Sequence, residues 1–150
     1  GHHGILITRS TYGSATANTL RGVKGNGIRI EEGRCNNVTV ANNVLKDVGF
    51  SGISVSGDSR RVRVFFNTLV DVGTRATESD GYDGIIFLSG VARSMCAFND
   101  ITGLGMRHGI YLTNTCSQIS SYGNYVKGAG FDDSYNDNSI DPITSTANVI

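Results

Sequence analysis

Apolar residues recur along this chain in short runs with a period of two. In Gly52-Ile53-Ser54-Val55 the isoleucine and valine point one way and the serine the other, and Val38 and Val40 repeat the pattern in NVTVANN. Alternating runs bounded by Gly, Asn and Ser are strand signals. No stretch places apolar residues at i, i+3 and i+4 over the ten or more positions that a helix needs. The pattern predicts strands throughout and no helix.

The strands repeat. GILI begins at Gly4, GIRI at Gly27, GISV at Gly52, GIIF at Gly84 and GIYL at Gly109, in steps of 23, 25, 32 and 25 residues. In phase with them run Asn18, Asn43, Asn67, Asn99, Asn124 and Asn148, each with an aliphatic residue two positions on, as in NTL, NVL, NDI and NYV. A glycine column joins them at Gly25, Gly49, Gly73, Gly105 and Gly130. Three columns with one period mark a repeat architecture. A unit of two or three short strands cannot bury its own apolar face, but a stack of units can. The prediction is an all-β solenoid of about six coils, roughly 25 residues per coil, forming a single domain over residues 1–150.

These columns resemble the right-handed parallel β-helix, the fold of pectate lyases and many phage tailspikes. The resemblance implies a ladder in which Asn18, Asn43, Asn67, Asn99, Asn124 and Asn148 bond to one another, because successive coils stand at strand-pairing distance, about 4.8 Å. It also implies a polysaccharide as ligand, a place outside the cell or on a virion, and, in a tailspike parent, a homotrimer. The chain begins and stops within a coil, so a fragment of a longer protein is expected, or ends covered in an assembly. The N-terminal GHH reads as natural sequence, since HHGILI matches RHGIYL in frame.

Composition narrows the picture. The formal net charge is zero, which gives no electrostatic case for nucleic acid or an anionic membrane. No run of 18 apolar residues is present to span a bilayer. Cys35, Cys96 and Cys116 have neither disulfide nor metal spacing, and Cys96 shares the inward column of Val40 and Val64. Free thiols point to folding in a reducing compartment, as for a virion protein assembled in the cytoplasm. One proline and twenty glycines suit tight repeated turns.

Function in repeat folds concentrates where the period fails. The 32-residue step places extra residues in TRATESDGYD, which carries Arg75, Glu78, Asp80, Tyr82 and Asp83. A loop here overhangs the GI strands; Arg75, Glu78, Asp80 and Tyr82 are candidate substrate contacts, and a tolerated surface insertion explains the same length. The column just before each strand glycine reads His3, Asn26, Ser51, Asp83 and His108. Asp83 and His108 fall on adjacent coils, about 5 Å apart, where a carboxylate can orient and charge an imidazole. Arg107 and Tyr111 flank His108, and Tyr111 shares an outward column with Leu6, Arg29, Ser54 and Ile86. The expectation is a solvent-facing catalytic group of His108, Asp83, Tyr111 and Arg107, with Tyr111 as a platform for a sugar face or a subunit contact.

MRHGIYLTNT and, one coil earlier, DGIIFL are similar to a segment of the alginate C5-epimerases, which are β-helix enzymes. The Tyr-Gly-Phe-Asp-Pro-His run of that family has no counterpart in GFSGISVSG, so what the resemblance implies is a sugar contact for Arg107 and His108. A lyase needs a base for the C5 proton, a cation on the uronate carboxylate and an acid for the leaving oxygen. His108, Tyr111 and Arg107 are those residue types. A glycosidase needs two carboxylates about 5–9 Å apart, for which Asp83 with Asp80, Glu78 or Asp58 is available; Glu31 and Glu32 lie two coils away. No cofactor is called for, with Ca²⁺ at Asp132, Asp133, Asp137 and Asp141 the weaker alternative. Two functions remain open: a polysaccharide-degrading domain, lyase or glycosidase, and a non-catalytic structural or adhesive module of a fibre or cell-surface protein.

Overall fold

The computed structural model describes residues 2–75 and 82–128, together with the backbone of the strand Tyr135–Asp137. All regular elements among them are short strands, and all pairings between strands are parallel. The chain winds into a β-solenoid with three walls. Wall A stacks Ile5–Thr8, Ile28–Glu31, Ile53–Val55, Ile85–Phe87, Ile110–Leu112 and Tyr135–Asp137. Wall B stacks Gly13–Thr16, Val38–Ala41, Arg63–Phe65, Ala92–Ala97 and Ser117–Tyr122. Wall C stacks Thr19–Arg21, Val44–Val48, Thr68–Val72, Asp100–Thr102 and Tyr125–Lys127. Counting coils from Gly4, Gly27, Gly52, Gly84 and Gly109, five are complete and a sixth has begun.

Alternation along each strand builds the core. Ile28 and Ile30 register with Ile53 and Val55, then with Ile85 and Phe87, then with Ile110 and Leu112. These residues are fully buried and meet Val38, Val40, Val62, Val64 and Cys96 from wall B and Leu45, Leu69, Ile101 and Val126 from wall C. The strand glycines that announce each coil are required by this packing. A Cβ on Gly52 would lie 2.4 Å from Leu69 Cδ2 and 2.7 Å from the Gly84 carbonyl oxygen. Cys35, Cys96 and Cys116 are all buried and free, and burial pushes the Cys96 thiol far above its ordinary value.

The asparagine column is a closed ladder through Asn124. Asn43 Oδ1 accepts the Asn18 side-chain amide at 3.0 Å; Asn67, Asn99 and Asn124 accept from Asn43, Asn67 and Asn99, each at 2.9 Å. The same oxygens accept the backbone N–H groups of Asn18, Asn43, Asn67 and Asn99. The other amide hydrogens of Asn43, Asn67, Asn99 and Asn124 reach the carbonyls of Ala15, Val40, Val64 and Cys96. Asn148 lies outside the described residues.

The corners are built from left-handed residues that stack in register. Ala17, Asn42, Phe66, Phe98 and Gly123 each precede a ladder asparagine and all have positive φ. Asn37, Arg61, Arg93 and Gln118 form a second such column at the start of wall B, and Gly22, Asp47, Asp71, Gly103 and Gly128 a third at the end of wall C. Asn, Asp and Gly take this conformation cheaply, whereas other residues pay about 1–2 kcal/mol for it.

Candidate functional site

The column before the strand glycines is a second hydrogen-bonded ladder. His3 Nδ1 accepts the Asn26 N–H at 3.2 Å, Asn26 Oδ1 accepts that of Ser51 at 3.1 Å, Ser51 Oγ that of Asp83 at 3.1 Å, and Asp83 Oδ1 that of His108 at 3.2 Å. Each side chain thus satisfies a backbone donor of the following coil. At the N-terminal end burial, with Arg29 nearby, holds the His3 imidazole below its ordinary value. Its neutral form is the one whose Nδ1 can accept from Asn26.

Where this ladder reaches the fourth and fifth coils it becomes charged. Arg107 straddles the Asp83 carboxylate, Nη2 at 3.1 Å from Oδ2 and Nε at 3.3 Å from Oδ1. His108 Nδ1 stands 2.8 Å from Asp83 Oδ1 and 3.0 Å from Arg107 Nε. Both contacts of Nδ1 cannot be hydrogen bonds at once, because the guanidinium needs a lone pair there and the carboxylate needs a proton. The shorter distance and the two-point Arg107–Asp83 fork favour a protonated Nδ1 donating to Asp83. The His108 ring stacks on Tyr111 with centroids 4.7 Å apart, and the Arg107 guanidinium carbon sits 4.9 Å from the Tyr111 centroid.

The four residues expected to act together are therefore in contact, but the expected exposure is not found. Asp83 is 1% and His108 4% exposed. Their side chains lie along the stack, each holding the neighbouring coil, with Arg107 and Tyr111 packed against them. Tyr111 is half-buried and its ring already has two partners, so it is not an open platform. Arg107 remains 30% exposed by side chain.

A groove of about 300 Å³ lies beside this cluster on the outer face of wall A. Asp83 belongs to both. The groove is lined by Arg29, Ser54, Ser56 and Ile86, and Phe50 and Tyr82 stack in its wall with centroids 4.3 Å apart and planes 15° from parallel. Arg29 pairs with Glu31, and its Nε–H is buried without a hydrogen-bond partner among the described residues. Tyr82 is tied to the charged cluster because its carbonyl accepts the Arg107 N–H at 2.7 Å. Arg75 is exposed and anchored by its N–H to the Gly49 carbonyl, one residue from Phe50. Glu78 and Asp80 lie outside the described residues.

The carboxylate pairings open to a glycosidase thin out. Asp58 donates its N–H to Ser89, at the far end of the strand that Asp83 precedes, roughly 20 Å along the wall at strand rise. Glu31 is engaged by Arg29. Among the described residues no group of three His, Cys, Asp or Glu is placed to hold a metal ion. Asp132, Asp133 and Asp141 lie outside those residues, and Asp137 is described by backbone alone. Phe50 and Arg29 were not among the sequence candidates. A signal for Arg29 was present, since it breaks the outward column of Leu6, Ser54 and Ile86 with a charge. No protein family, curated protein or solved structure matches the chain.

Proposed function

We propose that this solenoid binds a polysaccharide along the outer face of wall A. The observation that carries the proposal is the groove of about 300 Å³ walled by the Phe50–Tyr82 stack and edged by Arg29 and Ser54. Aromatic faces suit the C–H faces of sugar rings, while serine hydroxyls and a guanidinium suit hydroxyl or carboxylate substituents. In this reading Asp83 and His108 are positioning residues. They hold Arg107 and, through its N–H, the Tyr82 carbonyl at the end of the groove. In this reading the protein works outside the cell or on a virion, where such polymers occur, and a trimeric tailspike is one setting for it.

Titration of the protein with a panel of neutral and acidic polysaccharides, followed by amide chemical shifts, tests the proposal. Binding should perturb residues around Phe50 and Ser54, and Tyr82→Ala should weaken it at least tenfold, as for other aromatic anchors. Absence of any perturbation across the panel defeats the proposal.

Degradation of the bound polymer is the second reading, favoured by one observation: a carboxylate, an imidazole and a guanidinium in mutual contact, Asp83 to His108 at 2.8 Å. Unsaturated products from the panel, lost in His108→Ala with folding intact, support it. A folded wild-type protein that leaves every polymer uncut assigns the chain to the adhesive or structural class.

A further inference from the structure

We infer a second ligand site, on the outer face of wall B, for a glycan carrying sulfate or carboxylate groups. Arg61 and Arg63 of the third coil and Arg93 of the fourth line a groove of about 310 Å³ there, with Met95 and Ser120. All three arginines are exposed. Among the described residues none of them pairs with a carboxylate; the arginine pairings are those of Arg21, Arg29 and Arg107. Arg93 has only a hydrogen bond from Nε to Gln118 Oε1, at 3.2 Å. The protein as a whole has a formal net charge of zero, so three cations gathered without counter-charge are a local excess.

The placement of these cations costs the fold something. Arg61 and Arg93 are register neighbours, a coil spacing apart, so their charges repel. Both also occupy the left-handed corner, with φ of 55° and 52°, where the second coil has Asn37. Asparagine meets that conformation better than arginine does. Neither feature helps the solenoid stack, and an anion lying between the side chains relieves the repulsion.

The same two coils deviate at the opposite corner of wall B. There the other coils hold Ala17, Asn42 and Gly123, whereas the third and fourth hold Phe66 and Phe98 in the left-handed conformation. Phe66 is 54% and Phe98 49% exposed, and their rings stack with centroids 5.3 Å apart. Phe98 also meets Tyr122 edge-on, and the Tyr122 hydroxyl reaches Met95 Sδ at 3.3 Å, on the groove floor. From Arg61 to Phe66 the chain takes five residue steps, at most about 17 Å at strand rise. A surface with cations at one edge, a methionine and hydroxyls between, and aromatic rings at the other fits a chain of rings that have apolar faces and anionic substituents. Nucleic acid fits less well, because its binders carry a broad positive field that a neutral protein lacks.

Native electrophoresis of the whole chain through gels containing dextran sulfate, polygalacturonate or neutral dextran tests the inference. Dextran sulfate or polygalacturonate should retard the protein and neutral dextran should not; the more effective of the two polyanions identifies the anionic group. The double variant Arg61→Gln/Arg93→Gln should bind at least tenfold more weakly and with a shallower salt dependence, and Phe98→Ala severalfold more weakly. Arg21→Gln, an exposed arginine on wall C, should bind as the wild type does. Melting curves of each variant establish that the solenoid is intact. Equal retardation of the double variant, retardation by neutral dextran that persists in Tyr82→Ala, or tighter binding to a single-stranded oligonucleotide than to either polyanion overturns the inference. Loss of polyanion binding in Tyr82→Ala but not in the arginine double variant places the acidic ligand on wall A and overturns it too.

Discussion

Replacing Asn67 by leucine, a side chain of similar size, measures what the ladder is worth. Asn67 Oδ1 accepts both the backbone N–H of Asn43, at 3.1 Å, and its side-chain amide, at 2.9 Å. Asn43 is 1% exposed, so neither donor has water to turn to. One hydrogen of the Asn43 amide keeps the Ala15 carbonyl. On the other side, Asn99 Oδ1 still receives the Asn67 backbone N–H. Two buried donors are left without this acceptor, and the Val40 and Phe65 carbonyls lose the Asn67 amide; at about 1–3 kcal/mol for each donor the expected destabilisation is at least about 3 kcal/mol after relaxation. For a domain of this size that lowers the melting temperature by about 6–12 °C. Asn18→Leu is the internal comparison. Asn18 is half-buried and its amide donates to Asn43 and to the Thr16 carbonyl, while Asn43 Oδ1 keeps the Asn18 backbone N–H. Its loss should cost about 1 kcal/mol or less. Thermal and urea unfolding followed by circular dichroism read both. Equal effects from Asn67→Leu and Asn18→Leu, or no effect from either, would refute the argument that stability resides in accepted backbone donors.

Asp83→Ala should destabilise more than His108→Ala, by about 1–3 kcal/mol, since it removes the carboxylate that accepts the buried His108 N–H and holds Arg107 in a two-point fork; equal melting temperatures for the two variants contradict this. Gly84→Ala should destabilise by at least about 2 kcal/mol, as overpacking and backbone conflict do, because its Cβ would meet the Gly109 carbonyl oxygen at 2.4 Å and Ile101 Cγ2 at 2.6 Å; a folded variant of unchanged stability refutes the tight packing of walls A and C. The Cys96 thiol, raised by burial, should resist alkylation until the protein unfolds, and rapid labelling under native conditions would show that the core opens. The His3 imidazole should titrate below 6.5. Because its folded value is depressed, the stability it contributes is present above pH 6.5 and is lost as pH falls through the folded value; an NMR titration midpoint above 6.5 reverses the sign.

The strands and the asparagine ladder were legible because both are properties of period. Alternation of two places Ile53 and Val55 on one face whatever surrounds them, and any column that recurs each coil must stack at strand spacing. The identity of the column His3, Asn26, Ser51, Asp83 and His108 was legible for the same reason. Its burial was not. These residues precede the strands of wall A, outside the alternating run, so no periodicity states which way they turn. Burial there depends on the angle of the corner and on Arg107 and Tyr111 packing alongside. One signal did point the right way: every member of the column can accept a hydrogen bond, as every member of the asparagine column can.

Both candidate ligand surfaces follow from how a solenoid separates its tasks. Inward positions are committed to the core, and the ladder positions to backbone donors, so a coil can vary only outward and at its corners. On wall A that freedom is used at Arg29, Phe50 and Tyr82. On wall B it is used in the run Arg60-Arg61-Val62-Arg63-Val64-Phe65-Phe66, where Val62 and Val64 keep the inward column intact, and again at Arg93 and Phe98. Because the inward core residues are retained, the packing of the core does not call for the arginines or for the phenylalanines, whose rings stack outside it. A bulky side chain held in a left-handed corner and left half-exposed is a cost to the fold at Phe66 and again at Phe98. Substituting asparagine at both, as Asn42 already stands in the second coil, should therefore raise the melting temperature while weakening polyanion binding. A double variant less stable than the wild type would show instead that the Phe66–Phe98 stack belongs to the fold.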